Sequence, residues 1–265
     1  MLIELTYACK MNCSHCMSDC KPDGINMSKE ILKDTLEFFK RYRIPNLVFS
    51  GGEMFEHPKI LDLLEIVQSY WDKKLPLTFI TNGRELVHNR EIYDYVTDMQ
   101  KKYGKKNILI QVTDDERYYP EQLSDKDKYY LKKLNAIIEE VPGLYPQGRV
   151  LENFPDSEWC TKGPKCVNCR LLTMQGVNTV NGLVTTLLSV NKMCTPVIAP
   201  DGSIKIGESA LCPSVASIYD SEEDIIDGIK NCKCMKCKIP FDILQENNPI
   251  AYKMLKGDIK CIHLV

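Results

Sequence analysis

The feature that most constrains this chain is where its thirteen cysteines lie. Cys9, Cys13, Cys16 and Cys20 crowd the N-terminus, Cys160, Cys166 and Cys169 form a second group, and Cys194, Cys212, Cys232, Cys234 and Cys237 a third. Cys261 stands alone, and none lies between Cys20 and Cys160. Thiols that only pack a core would be scattered through the elements. An odd number cannot pair completely. The opening MLIELTYAC has no basic region, long apolar run or cleavage site, so the sequence is expected to be cytosolic, where thiols stay reduced. Clustered thiols in that setting read as ligands for a soft metal.

At 265 residues the chain can bury a core without covalent staples. With 34 Lys+Arg against 36 Asp+Glu it offers no basic footprint for nucleic acid. No apolar run approaches the ~20 residues of a membrane span.

Between the first two cysteine groups, strand and helix signals alternate with a period of about 30 residues, the rhythm of βα units around a parallel sheet. Strands are expected at Leu2–Thr6, Asn46–Phe49, Leu77–Ile80 and Ile108–Val112, with a fifth at Gly143–Tyr145. Helices are expected after Ser28, after Pro58, over Asn89–Tyr103 and over Ser124–Glu140. From about Pro155 the rhythm stops. Cys194–Gly207 reads as a hairpin around Pro200-Asp201-Gly202, and Glu222–Lys230 as an amphipathic helix. Leu171–Asn191 fits a hairpin at Asn181-Gly182 or a short helix equally well.

The spacing Cys9-x3-Cys13-x2-Cys16 places three thiolates in one loop after the first strand. Three cysteines can hold three irons of a four-iron, four-sulfur cube and leave the fourth open. Zinc would want four ligands, and Cys20 can supply the fourth, so spacing alone leaves that alternative standing. The loop's position favours the cube, because strand C-termini carry the active sites of barrel folds.

With Gly51-Gly52-Glu53 after the second strand and Thr81-Asn82-Gly83 after the third, the sequence resembles the radical S-adenosylmethionine (SAM) enzymes over about residues 1–150. The resemblance implies an α/β partial TIM-type barrel, a cluster on Cys9, Cys13 and Cys16, and SAM held by His15, Gly51, Gly52, Glu53, Thr81 and Asn82. His15 departs from the larger aromatic often found there. Glu53 also reads as a helix cap, and Thr81-Asn82-Gly83 as a plain turn. Gln111, Thr113 and Arg149 are weaker candidates.

Cys194-x12-Gly207-x4-Cys212 resembles the start of the twitch and SPASM extensions, which implies an auxiliary cluster on Cys194, Cys212, Cys234 and Cys237. A zinc ribbon has the same spacing. Cys160, Cys166, Cys169 and Cys232 can form a second auxiliary or zinc site, while Cys20 and Cys261 are free thiols or hydrogen-atom donors. The organisation expected is a core at 1–155, a connector at 156–192 and a Cys-rich extension at 193–265.

The resemblance implies reductive cleavage of SAM to a 5′-deoxyadenosyl radical that takes a substrate hydrogen. The expected outcome is oxidation or crosslinking of a peptide or protein. Dehydrogenation of a small alcohol is the alternative, and an iron–sulfur carrier or zinc-binding module lies outside catalysis. A flavodoxin- or ferredoxin-type donor and a monomeric state are further expectations.

Overall fold

A computed structural model describes residues 1–44, 46–141, 143–145, 147–158, 176–190, 196–232, 249–250 and 253. Five strands, β1 (Leu2–Glu4), β2 (Leu47–Ser50), β3 (Leu77–Thr81), β4 (Ile108–Thr113) and β5 (Ile137–Glu139), run parallel in the order β5-β4-β3-β2-β1. The helices between them are α1 (Lys29–Arg41), α2 (Ile60–Tyr70), α3 (Arg84–His88), α4 (Arg90–Tyr103) and α5 (Asp125–Lys133). This is the open βα part-barrel expected.

Strand periodicity gives the sheet two faces. Ile3, Phe49, Phe79 and Ile110 stand in one registered row and are buried against the helices. Leu32, Leu36, Leu63, Leu64, Val67, Ile92 and Val96 meet them from α1, α2 and α4. Alternate residues, Glu4 and Ser50 among them, face a cavity on the other side. Helix starts follow their capping signals: Ser28 Oγ accepts from Ile31 N–H (3.1 Å), and Ser124 with Asp127 closes a capping box on α5.

The fifth strand corrects one expectation. It is Ile137–Glu139, not Gly143–Tyr145, because α5 stops at Lys133 instead of running to Glu140. Asn135 adopts a left-handed φ of 53°, Asn135 N–H donates to Lys132 (2.9 Å) and Ala136 N–H to Leu131 (3.0 Å). That is a Schellman stop with asparagine in the position that favours glycine.

Four helical residues form α6 (Val150–Asn153). The ambiguous stretch contains a helix, α7 (Val180–Val190), whose start is fixed by Thr179: Oγ1 accepts from Gly182 N–H (3.1 Å) and its carbonyl from Leu183 N–H (3.0 Å). The hairpin appears as β6 (Pro196–Ile198) and β7 (Ser203–Ile206), followed by β8 (Ser214–Ser217) and α8 (Glu222–Asn231). Strand β6 lies parallel beside β1, so β6-β7-β8 continue the barrel sheet into one of eight strands. Among the described residues no helix is long and apolar enough to cross a membrane.

Candidate functional site

The cysteine loop leaves β1 and is stitched to the loop after β2. Gly52 N–H donates to the Thr6 carbonyl (2.7 Å) and Glu53 N–H to that of Ala8 (2.9 Å). No side chain fits at this crossing. A Cβ on Gly51, where φ is 143°, would sit 2.2 Å from the Thr6 carbonyl oxygen, and one on Gly52 2.4 Å from that of Ala8. The two glycines therefore serve the approach of one loop to the other, a role the sequence did not suggest.

Glu53 is buried. Its Oε1 accepts from Phe55 N–H (3.0 Å) and the Thr81 hydroxyl (2.7 Å), and its Oε2 from Asn82 N–H (2.7 Å). It caps the short 3-10 turn Met54–Glu56 and at the same time ties the second strand end to the third. Burial raises its carboxyl to about 7 against the pull of these donors. The carboxylate holds the Thr81-Asn82 turn and is not among the groups that line the cavity.

That cavity, about 320 Å³, opens at the C-terminal ends of the strands and is lined by Cys9, Cys13, Cys16 and His15 together with Gly51, Gly52, Thr81 and Asn82. Thr113 also reaches it, whereas Gln111 is exposed and does not. Burial pushes the Cys9 and Cys13 thiols up to about 12. Cys16 is pulled down to about 6, chiefly by its side-chain pairing with Cys20, which in turn is driven upward; Cys20 N–H also donates to Cys16 Sγ (3.4 Å).

The thiols fit a cube better than a single ion. Tetrahedral zinc, with bonds of ~2.3 Å, draws its thiolates to within about 4 Å of one another. No three His, Cys, Asp or Glu side chains among the described residues are placed to hold one ion. Three thiols spread around one cavity suit separate iron corners. His15 supports a bound ligand too: its Nδ1 is buried with no hydrogen-bond partner among the described residues. Its ring lies 5.2 Å from that of Tyr118 and 5.1 Å from that of Tyr119, which also lines the cavity.

Several site residues were missed in the sequence. Tyr119 lies on the 114–123 loop, held by Arg84, whose buried guanidinium donates to the Asn82 carbonyl (3.1 Å) and pairs with Asp114 (3.2 Å) and the Glu121 carbonyl. Ser14 N–H (3.1 Å) and Oγ (3.0 Å) donate to the Tyr118 carbonyl and dock the cysteine loop on the same segment. Glu4 faces the cavity from β1 and accepts the Tyr7 hydroxyl at 2.6 Å. An acidic residue in an apolar first strand was the available signal. Arg149 is no surface arginine: it ion-pairs with Asp19 (3.1 Å) and donates to the Cys20 carbonyl (2.6 Å).

In the third cysteine group, Cys212 is buried with its sulfur 3.8 Å from Gln147 Oε1, and Cys232 ends α8. Cys160, Cys166, Cys169, Cys194, Cys234, Cys237 and Cys261 lie outside the described residues.

Comparison with known proteins accords with this geometry. Residues 3–119 match the Radical SAM superfamily. A Bacillus subtilis (strain 168) protein named for peptide biosynthesis, YydG, is 30% identical over 121 residues, 44% of this chain and 36% of YydG. The antilisterial bacteriocin subtilosin biosynthesis protein AlbA, from the same strain, is 30% identical over 81 residues, 30% of this chain and 17% of AlbA. The chain thus spans little more than a third of the first of these relatives and less of the second. A solved structure titled native anSMEcpe with bound AdoMet and Cp18Cys peptide aligns with a TM-score of 0.53 at 12% identity, covering 87% of this chain and 81% of that one, a likeness of fold.

Proposed function

We propose that this radical SAM chain binds a [4Fe-4S] cluster through Cys9, Cys13 and Cys16, binds SAM beside it, and oxidises or crosslinks a peptide or protein substrate. The carrying observation is the convergence of those three thiols with His15, Gly51, Gly52, Thr81 and Asn82 on one cavity. The names of YydG and AlbA favour a peptide over a small alcohol. When bound, the cluster and SAM supply one-electron cleavage of the sulfonium and a 5′-deoxyadenosyl radical.

The protein's part is orientation and exclusion of water. The cysteine loop is held between the β2 loop and the Tyr118 carbonyl, so its thiols enter the cavity from a fixed backbone. Glu53 acts one step removed, by fixing the Asn82 backbone and the Thr81 hydroxyl. His15 offers the unpaired Nδ1, and Tyr119 beside it supplies an apolar wall. Glu4 faces the same cavity and is the candidate for meeting the substrate.

An auxiliary cluster on Cys194, Cys212, Cys234 and Cys237 belongs to the same proposal, with the chain divided functionally into core 1–155, connector 156–192 and extension 193–265. Cys160, Cys166, Cys169 and Cys232 are the candidates for a second such site, and a flavodoxin- or ferredoxin-type protein is the proposed electron donor.

Iron, sulfide and zinc analysis of anaerobically prepared protein tests the assignment. Iron and sulfide in equal amounts, at four or more per chain, are expected for cubes. Zinc without sulfide identifies a zinc-binding module and overturns it.

A further inference from the structure

Arg149 comes from the segment that follows the barrel strands. Among the described residues, every group that its guanidinium bonds or pairs with lies on the cysteine loop. We propose that Arg149 is a positioning residue that bridges Asn12 and Asp19, the two residues bracketing Cys13 and Cys16, and so holds the loop in its cluster-binding shape before the cluster arrives. The inference rests on the cluster assignment above.

The loop needs holding because its backbone is unfavourable on both sides of that cysteine pair. Asn12 has a φ of 53° and Asp19 of 48°, in the left-handed region that is costly for a residue with a side chain. The two other such residues among those described, Arg43 and Asn135, close α1 and α5, where the helix end supplies compensating hydrogen bonds. No helix ends at Asn12 or Asp19. There the contacts come from Arg149: Nη1 donates to Asn12 Oδ1, Nε lies 3.1 Å from Asp19 Oδ1, and Nη2 donates to the Cys20 carbonyl (2.6 Å). One planar fork thus spans three points of the loop, which the compact ammonium of a lysine cannot do.

The clamp is itself fixed against the loop. Arg149 N–H donates to the Cys16 carbonyl (3.0 Å), and Asn153 Nδ2, one turn further on, to that of Ser14 (2.8 Å). A Cβ on Gly148 would lie 2.6 Å from the carbonyl oxygens of both Cys16 and Met17, so the backbone before Arg149 rides directly on the cysteine segment. The Arg149 side chain is 13% exposed, whereas Lys21, which also approaches Asp19 (3.6 Å), is 67% exposed and its pairing is screened by water. Thiols on a loop already shaped lose less freedom when they bind, which tightens the grip on the cluster. Other holds on the loop do not involve Arg149, among them Ser209 Oγ on the Met17 carbonyl (2.8 Å) and the stitching to Gly52 and Glu53.

The test compares wild type, Arg149→Ala and Arg149→Lys after anaerobic reconstitution, by the rate at which a chelator strips the N-terminal cluster, with circular dichroism to confirm folding. That cluster is identified as the EPR signal that shifts when SAM is added. A hydrogen bond involving a charged group corresponds to about tenfold, so Arg149→Ala should lose the cluster about tenfold faster. Arg149→Lys, which keeps the charge and loses the fork, should resemble Arg149→Ala. A double-mutant cycle separates the bridge from general loosening. Asn12→Gly with Asp19→Gly leaves the left-handed backbone accessible and removes both acceptors, so Arg149→Ala added to that pair should accelerate loss less than it does in wild type. An unchanged rate in Arg149→Ala overturns the inference, as does a wild-type rate in Arg149→Lys or full additivity in the cycle. Should Arg149→Ala fail to fold, Arg149→Lys takes its place in the cycle with the same two outcomes. A wild-type chain with no SAM-sensitive signal would sink the cluster assignment, and the inference with it.

Discussion

Replacing Glu4 by Gln should change the pH dependence of stability in a calculable way. Glu4 is 3% exposed, and burial raises its carboxyl from 4.5 to about 7, opposed by the Tyr7 hydroxyl and Lys205 and reinforced by Glu208. A carboxyl whose pKa is higher in the folded than in the unfolded state binds more protons when folded. Its contribution is therefore fully present below pH 4.5 and is lost as pH rises to about 7. A rise of about 2.5 units corresponds to roughly 3 kcal/mol, since each unit is ~1.36 kcal/mol. Gln has the shape of the protonated acid and no charge to bury. The variant should match wild type near pH 4.5 and exceed it by about 3 kcal/mol at pH 8, or about 1 M in urea midpoint at a slope of ~3 kcal/mol/M. Glu53 is raised to the same extent, so the variant should keep a similar slope from that residue. The assay is urea unfolding under reductant from pH 4.5 to 8. Parallel curves for the two proteins would refute the reasoning, because they would mean that Glu4 carries no burial cost on ionisation.

Gly52→Ala brings a Cβ to 2.4 Å from the Ala8 carbonyl oxygen and 3.1 Å from Cys9 Cβ. It should cost about 1–3 kcal/mol in unfolding experiments and lower iron uptake, whereas unchanged iron content would show that the two loops tolerate separation. Arg84→Ala strips the buried Asp114 of its main partner, but Lys128 remains 3.5 Å away, so the loss should lie near ~3 kcal/mol, the lower end for a broken buried pair. A thermal midpoint within 2 °C of wild type, on a scale of ~2–4 °C per kcal/mol, would contradict that. A variant with Cys9, Cys13 and Cys16 all changed to Ala should retain about four irons, the complement of one auxiliary cube. Iron-free protein would remove the auxiliary-cluster proposal.

The barrel was legible because its signals are local and repeated. Alternating runs such as Leu77-Thr78-Phe79-Ile80 follow the two faces of a strand, and Ser28 marks where α1 begins. The end of α5 was misplaced because Asn135 adopts the left-handed turn that glycine usually signals, so the charged pattern through Glu140 was read as one helix. In the site, the cysteine spacing and the two glycine-containing strand ends located the cavity, since ligand atoms carried by one short loop must lie together. Partners supplied by distant segments left no local mark. Arg84 meets Asp114 across 30 positions and Arg149 meets Cys20 across 129, and neither spacing can be read from a periodic pattern. Glu53 was assigned to the ligand on motif grounds, while both its oxygens hold Thr81, Asn82 and Phe55. The pairing of β6 with β1 was hidden for the same reason: strand order is a property of the sheet, not of either segment.

The most direct measurement of the central proposal is release of 5′-deoxyadenosine from SAM by the anaerobically reconstituted chain under dithionite, followed by chromatography. The wild-type protein should release it, and Cys13→Ala, which removes one of three proposed cluster ligands from a loop outside the hydrophobic core, should fold and release none. Release that persists when Cys9, Cys13 and Cys16 are all Ala, or a cluster-loaded wild type that leaves SAM intact, would contradict it.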